Sequence, residues 1–412
     1  MGASNLHSDG PRALRELMDA ACSASNGIPG ASVVVVNRDG HEVFAHAAGK
    51  RGVGKPEPMS LDNMFWIASC TKVITGIAVM QLVEQGRLAL DDADQLETVC
   101  PELRDVKVLR DDGAMEEKKR RITLRMLLTH TAGFGYTFYN TKLAEFGRPV
   151  GYDEFSGQFC DLLQPLIAQP GEEFNYGVNL DWAGVALERV TNMRLNDYMQ
   201  KHIFDPLGLK NITMFPTAQM RKHLAYMHQR AVDGTVSLRD HLMHRSLTVD
   251  ADDAKRCLNS GGAGCFAQPG EFCQILAALL NSGVSPRTGA RILQKSTTEE
   301  MFTNQLPHMP NLARKHYPAA KPDLVAPVDE FFPQPPDQPQ GWGLTFMITP
   351  HPSATGRGAN AVHWAGLPNL WWWLDREKGV AGMICTQIMP SSDARVGELI
   401  GAVESAVYQH LV

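Results

Sequence analysis

The stretch Phe65-Trp66-Ile67-Ala68-Ser69-Cys70-Thr71-Lys72, continued by Val73-Ile74-Thr75-Gly76-Ile77-Ala78-Val79-Met80-Gln81-Leu82-Val83-Glu84-Gln85-Gly86, decides how the rest of the chain is read. The second part is apolar nearly all round and closes on a glycine, so it is expected to form a buried helix with Gly86 just past its end. Residues three apart share a helix face, and Lys72 at the head of that helix can therefore reach the Ser69 hydroxyl. The partial positive charge of the helix N-terminus favours a neutral amine and a developing alkoxide, the two states that nucleophilic attack requires. An S-x-x-K pairing is common in chains of this length. Its weight here comes from the buried helix behind it, because a lysine at such a place needs a polar purpose. Cys70, the rival nucleophile, points to another face of the helix and is read as packing.

Working outward, residues 11–26 read as an amphipathic helix, and Ala31 to Val36 is too β-branched to be anything but a strand. Asn37-Arg38-Asp39-Gly40 supplies hairpin chemistry, with a return through Val43 to Gly49. Near the other end, Ala361 to Trp364, Leu370 to Leu374 and Gly379 to Gln387 read as short strands, followed by a helix from Ala394 to His410. Between these regions, Thr123 to Leu128, Asp181 to Thr191, Leu195 to Phe204 and Gly270 to Asn281 show helical spacing. An α+β arrangement follows: an antiparallel sheet built from both termini and flanked by helices, with a mostly helical domain inserted. The expected division is 1–90 with 205–412 as a discontinuous α/β domain and 91–204 as the helical one. A cleft between them is the natural site. Residues 307–340 are dense with proline and can form neither a helix nor an inner strand. Such a loop within the α/β domain is either a surface excursion or a rim over the pocket.

Two further elements carry chemistry. Pro170-Gly171 makes a turn, and Tyr176 follows immediately before a helix. There its phenol can face a cleft, and next to an ammonium its pKa would fall and it could act as a base. His363-Trp364-Ala365-Gly366-Leu367-Pro368-Asn369 interrupts two strands with small residues, and the Leu367 N–H could pair with that of Ser69 as an oxyanion hole.

In this order the three elements resemble the serine β-lactamase and penicillin-binding-protein superfamily, closest to its esterase and transesterase branch. Further matches are Ile122 to Gly133, Asp205-Pro206-Leu207-Gly208-Leu209, Ser260-Gly261-Gly262-Ala263-Gly264 and Gly341-Trp342-Gly343-Leu344. Within that branch, Tyr176 to Gly184 and Gly366 to Asn369 look like the fungal acyltransferases of the lovastatin-pathway type. The resemblance implies a β-lactamase/transpeptidase-like fold. It makes Ser69 the acylated nucleophile, Lys72 its proton partner, Tyr176 base and later acid, and Ser69 with Leu367 the oxyanion donors. It also implies substrate binding at Trp364, Gly366, Asn179, Phe134 and Tyr136. The implied reaction moves an acyl group from a thioester or ester, such as one borne by an acyl-carrier protein, onto a hydroxyl of a small polyketide-like acceptor. The alternatives are a carboxylesterase working through the same acyl-enzyme and a catalytically silent homologue. Trp364 stands where β-lactamases have a lysine, and Val178 where they have an asparagine. Antibiotic hydrolysis is therefore not expected.

Composition narrows the rest. A formal net charge of −6 gives no basic field for tracking phosphates, and Lys118-Lys119-Arg120-Arg121 follows directly on two glutamates. The N-terminus lacks a signal-peptide pattern, Met1-Gly2 is not completed to an acylation site because Leu6 stands where Ser or Thr is needed, and no membrane span is evident. The eight cysteines are scattered without a C-x-x-C pair and read as reduced thiols in a cytoplasmic protein. His223, His228, His241 and His244 share one stretch but form no H-E-x-x-H pattern, so neither metal nor cofactor is expected. No G-x-S-x-G elbow points to an α/β-hydrolase. His130 is expected to be a structural hydrogen-bonder.

Overall fold

The computed structural model describes residues 4–412; Met1 and Gly2, with the acylation pattern sought there, lie outside the described residues. Helix α1 (Gly10–Ser23) leads into the hairpin of β1 (Gly30–Asn37) and β2 (Glu42–Gly49). The helices that matter next are α2 (Thr71–Glu84), α3 (Asn179–Thr191) and α4 (Pro269–Leu280). The chain closes with β3 (Gly341–Trp342), β4 (Met347–Thr349), β5 (Ala361–Gly366), β6 (Leu370–Asp375), β7 (Val380–Cys385) and α5 (Ala394–Gln409). These strands form one seven-stranded sheet in the order β3-β4-β5-β6-β7-β1-β2. Every pair is antiparallel, and the β1–β7 pairing, Ser32 opposite Cys385, joins the two ends of the chain.

Alternation along the strands gives the sheet two apolar faces. Val33, Val35, Trp371, Trp373 and Ile384 pack against Leu14 and Met18 of α1 and Val396, Leu399 and Val403 of α5. Val34, Val36, Trp364, Trp372 and Met383 belong instead to the larger core shared with α2, α3 and α4. Both faces are covered, which is why β1 is buried at every position while β2, at the sheet edge, is not.

Helix α2 is buried from Thr71 through Leu82. It ends as its sequence suggests: Gly86 takes φ +66°, its N–H donates to Val83 O at 3.0 Å, and the Arg87 N–H donates to Leu82 O at 2.9 Å. This double closure satisfies carbonyls that the helix end would otherwise orphan. The run Leu195 to Phe204, expected as one helix, is α-helical only to Met199 and then widens to a π turn over Gln200–Phe204. The change comes immediately before Asp205-Pro206, where proline has no N–H to continue the ladder. Segment 91–204 also holds a small hairpin, Val108–Leu109 against Met115–Glu116. Residues 307–340 contain no helix or strand, only isolated bridges such as Tyr317 to Val328. No helix among the described residues is long and apolar enough to cross a membrane.

Candidate active site

Ser69 sits on a single 3-10 turn, Ala68–Cys70, that feeds directly into α2. Ala68 is held at φ +44°, a conformation an alanine avoids unless its surroundings impose it. Two contacts hold it: Cys70 N–H donates to Ile67 O at 3.0 Å, and the Thr71 hydroxyl accepts from Cys265 N–H at 3.0 Å. Residues on either side are fully buried while Ser69 alone is half-open. Cys70 faces the core, and burial pushes its thiol well above the ordinary range, so it is no nucleophile.

Lys72 lies in the first turn of α2 with no solvent exposure. Its Nζ donates to Ser69 Oγ at 3.1 Å, to Tyr136 OH at 3.1 Å and to the Gly262 carbonyl at 2.9 Å. Desolvation pulls its pKa down to about 7, against an opposing pull from the nearby Asp181 carboxylate. Asp181, itself buried, accepts from Ser260 Oγ at 2.6 Å and from Gly262 N–H at 3.1 Å. It thereby fixes the loop whose carbonyl faces Lys72. Position 262 has no room for a side chain: a Cβ there would come within 2.5 Å of Asp181 Oδ2 and 3.1 Å of Tyr136 OH. Asp181 and Ser260 were not singled out from the sequence. Their only signal was the Ser-Gly-Gly run and an aspartate in the first turn of α3.

Tyr176 differs from expectation. Its hydroxyl accepts from Trp364 Nε1 at 3.0 Å, and Lys72 Nζ lies 4.6 Å from the ring centroid, over the face rather than at the oxygen. Burial raises the phenol pKa well above its ordinary value, outweighing the lowering by Ser69 and Trp364. The expected depression of that pKa is overturned, because the site is too dry to favour a phenolate. Behind the ring stands His130, at φ +55°, its centroid 4.7 Å from that of Tyr176. Its Nδ1 lies 3.0 Å from Asn179 Nδ2 and 3.4 Å from Gly177 N, so it accepts from both. Burial holds the imidazole pKa far down, and a neutral ring buttresses the Tyr176 turn.

The residues expected at the substrate separate into two groups. Ser69, Tyr136, Tyr176, Trp364, Gly366 and Leu367 all line one cavity of about 870 Å³. Gly366 is required by closeness, since a Cβ there would lie 2.7 Å from Ile67 O, and this approach brings Leu367 beside the Ser69 turn. Phe134 and Asn179 do not line the cavity. Phe134 is wholly buried and stacked on Trp182 at 6.1 Å, and Asn179 is wholly buried with its amide turned to His130. Substrate contact expected at these two is corrected to packing and loop support. The proline-rich segment is part of the wall: Val328, Phe331 and Phe332 face the cavity, with Phe332 5.1 Å from the Trp364 ring. Lys315 anchors it to the Tyr176 turn through Glu173 at 2.8 Å, Phe174 O at 2.7 Å and Asn175 Oδ1 at 2.6 Å. The histidines at 223, 228, 241 and 244 make no metal cluster; among the described residues no three His, Cys, Asp or Glu side chains converge.

A family model described as Beta-lactamase matches residues 12–404. The chain belongs to this family. It is 30% identical to the monacolin J acid methylbutanoyltransferase of Aspergillus terreus, covering 97% of this chain and 96% of that protein. A lovastatin esterase of Penicillium rubens is 31% identical over 93% of this chain and 94% of its own. Among solved structures, a LovD6 mutant of simvastatin synthase from Aspergillus terreus superposes with a TM-score of 0.80 at 27% identity, covering 98% of this chain and 95% of that one. The α+β fold expected from the sequence is thus the family's fold, and the chain is an enzyme of its acyltransferase and esterase branch.

Proposed function

We propose that the enzyme transfers an acyl group through an acyl-Ser69 intermediate from a thioester or ester to a hydroxyl of a small, polyketide-like alcohol. The observation that carries this reading is Lys72: a buried amine with pKa about 7, 3.1 Å from the hydroxyl of Ser69, which lines an aromatic-walled cavity. The free amine takes the Ser69 proton as Oγ attacks the carbonyl. The backbone N–H groups of Ser69 and Leu367 receive the oxyanion. Tyr176, protonated in the resting state, hands its proton to the departing thiolate or alkoxide, while Lys72 holds the proton taken from Ser69 until the acyl group leaves. An incoming alcohol then attacks the acyl-enzyme and gives up its proton by the same route in reverse. Roles for Trp364 and Gly366 follow: the indole orients the phenol, and the glycine lets the backbone approach.

The acyl group and polyketide acceptor are carried over from relatives named as methylbutanoyltransferases. An acyl-carrier protein fits as the thioester's bearer, and the free cysteines fit a cytoplasmic setting. Incubating the protein with short acyl thioesters, with and without alcohols, and weighing it intact tests the reading. A Ser69-dependent mass gain discharged by alcohol is expected. Label surviving in Ser69→Ala, or discharge by water alone, would overturn it, the latter in favour of an esterase.

A further inference from the structure

The cavity does not end at Ser69. Side chains along β5 alternate between sheet faces: Trp364 joins the core on the side of α2, whereas Ala365 joins the cluster under α5, and the His363 ring lies 4.7 Å, tilted, from that of Trp371 of that same cluster. Residues of both faces line the one cavity, so it passes around an edge. That edge is open because β4 pairs only with Ala361, Val362 and His363. Phe332 stands at the passage, its ring 5.1 Å from Trp364 and 5.1 Å from Trp371.

Behind it, α5 presents Gly397 and Gly401 four residues apart on one face. A Cβ on either would meet nothing within 4 Å. Both line the cavity, so this space belongs to it. At the end of the chamber lies Arg357, its side chain 10% exposed and its Nε 2.7 Å from Glu404 Oε1. That contact is off the hydrogen-bond axis, and neither Nε nor Nη1 has a hydrogen-bond partner. Glu404, by contrast, accepts from Trp371 Nε1 at 3.0 Å and from Thr355 Oγ1. The carboxylate is satisfied while the guanidinium keeps spare donors. Nδ1 of His363, which also lines the cavity, is unpartnered too.

We propose that this rear chamber binds the far end of the alcohol acceptor and that Arg357 receives an uncharged oxygen there, a ketone, ester or lactone carbonyl. The assignment of the ligand as the acceptor rests on the acyl-transfer reading; the subsite itself does not. An uncharged group fits because the Arg357–Glu404 pair is already neutral, and a carboxylate would bury a net negative charge. The cavity lining runs from Ser69 past Trp364 and Phe332 to Arg357, so a ligand that meets both ends is an elongated one.

The test is binding to the intact enzyme, followed by tryptophan fluorescence, of three probes: dodecan-1-ol, the same chain ending in a methyl ketone, and the same chain ending in a carboxylate. The ketone is expected to bind about tenfold more tightly than dodecanol, and the carboxylate no better than dodecanol. Arg357→Met is expected to erase the ketone's advantage, and Gly401→Leu, which keeps the ion pair, to weaken all three probes at least tenfold while the circular dichroism spectrum of the folded enzyme is kept. Equal affinities for ketone and dodecanol, a preference for the carboxylate, or full binding by the Gly401→Leu enzyme would each overturn the proposal. Binding is read without turnover, so an enzyme that binds the ketone as stated but transfers no acyl group would defeat the proposed function and leave the subsite standing.

Discussion

The state of Lys72 makes the sharpest prediction, and the perturbation is pH. Burial lowers its pKa from 10.5 to about 7, which means that protonating the amine in the folded enzyme is costly. At about 1.4 kcal/mol for each tenfold change in proton affinity, this corresponds to about 5 kcal/mol. If the free amine is the base for acylation, about half of the enzyme is competent at pH 7, about 1% at pH 5 and nearly all at pH 9. kcat/KM for a short p-nitrophenyl ester should therefore fall about 50-fold between pH 7 and pH 5 and rise only about twofold from pH 7 to pH 9. A lysine at its ordinary pKa would instead gain about tenfold per pH unit through the whole range. The assay is initial-rate kinetics in buffers of constant ionic strength, with circular dichroism at each pH to show that the protein remains folded. A flat profile from pH 5 to 7, or a tenfold-per-unit rise continuing past pH 9, would refute the assignment of Lys72 as base.

The same shift acts on stability. Unfolded Lys72 binds a proton below pH 10.5 and folded Lys72 only below about 7, so the unfolded state holds the extra proton between these values and stability rises with pH in that window. Below it the full cost remains. Lys72→Met should therefore raise the stability at pH 7 by about 1–3 kcal/mol once the lost hydrogen bonds are deducted, with the gain shrinking towards pH 10; a lower melting temperature at pH 7 would contradict this. Tyr176→Phe removes the acceptor of Trp364 Nε1 and the proton donor to the leaving group, and should lower kcat by about two orders of magnitude. Added to Lys72→Ala it should cost little more, because both serve one relay, whereas full additivity in a double-mutant cycle would place them in separate steps. Nitrocefin should be turned over only in traces. Trp364 Nε1 is committed to Tyr176 and Val178 is buried, leaving a β-lactam carboxylate and side-chain amide unmatched; turnover equal to that of a good ester would sink the argument.

What could be read from the chain and what could not divide along sequence separation. The β-branched run of β1, the apolar α2 and its Gly86 stop are local patterns, and each formed nearly where the pattern placed it. Lys72 reaching Ser69 is a helical neighbour relation and was equally legible. Its other partners, Tyr136 and Gly262, lie 64 and 190 residues away, and Asp181 meets Ser260 across 79. Such meetings leave no periodic trace. Tyr176 was located by its turn, yet its electrostatics were misjudged, because proximity to an ammonium is visible in a motif and desolvation by His130, Phe331 and Trp364 is not. Asn179 and Phe134 failed for a related reason: which side of a backbone faces the cavity is set by tertiary packing, and here both turn inward.

The dryness that misled the reading of Tyr176 also bears on which acceptor takes the acyl group. Water and alcohols attack an acyl-enzyme through the same base, so the choice between them is set by occupancy of the space beside Ser69 rather than by the catalytic groups. Phe138, Phe155, Phe331 and Trp364 line that space, offering water few partners. A long alcohol buries its carbon skeleton against these rings, at about 25 cal/mol per Å² of apolar surface, and displaces poorly held water as it enters. Burying even about 150 Å² is then worth roughly 4 kcal/mol, close to a thousandfold, which can offset the concentration advantage of water. The fit of the far end of the alcohol therefore decides between transfer and hydrolysis.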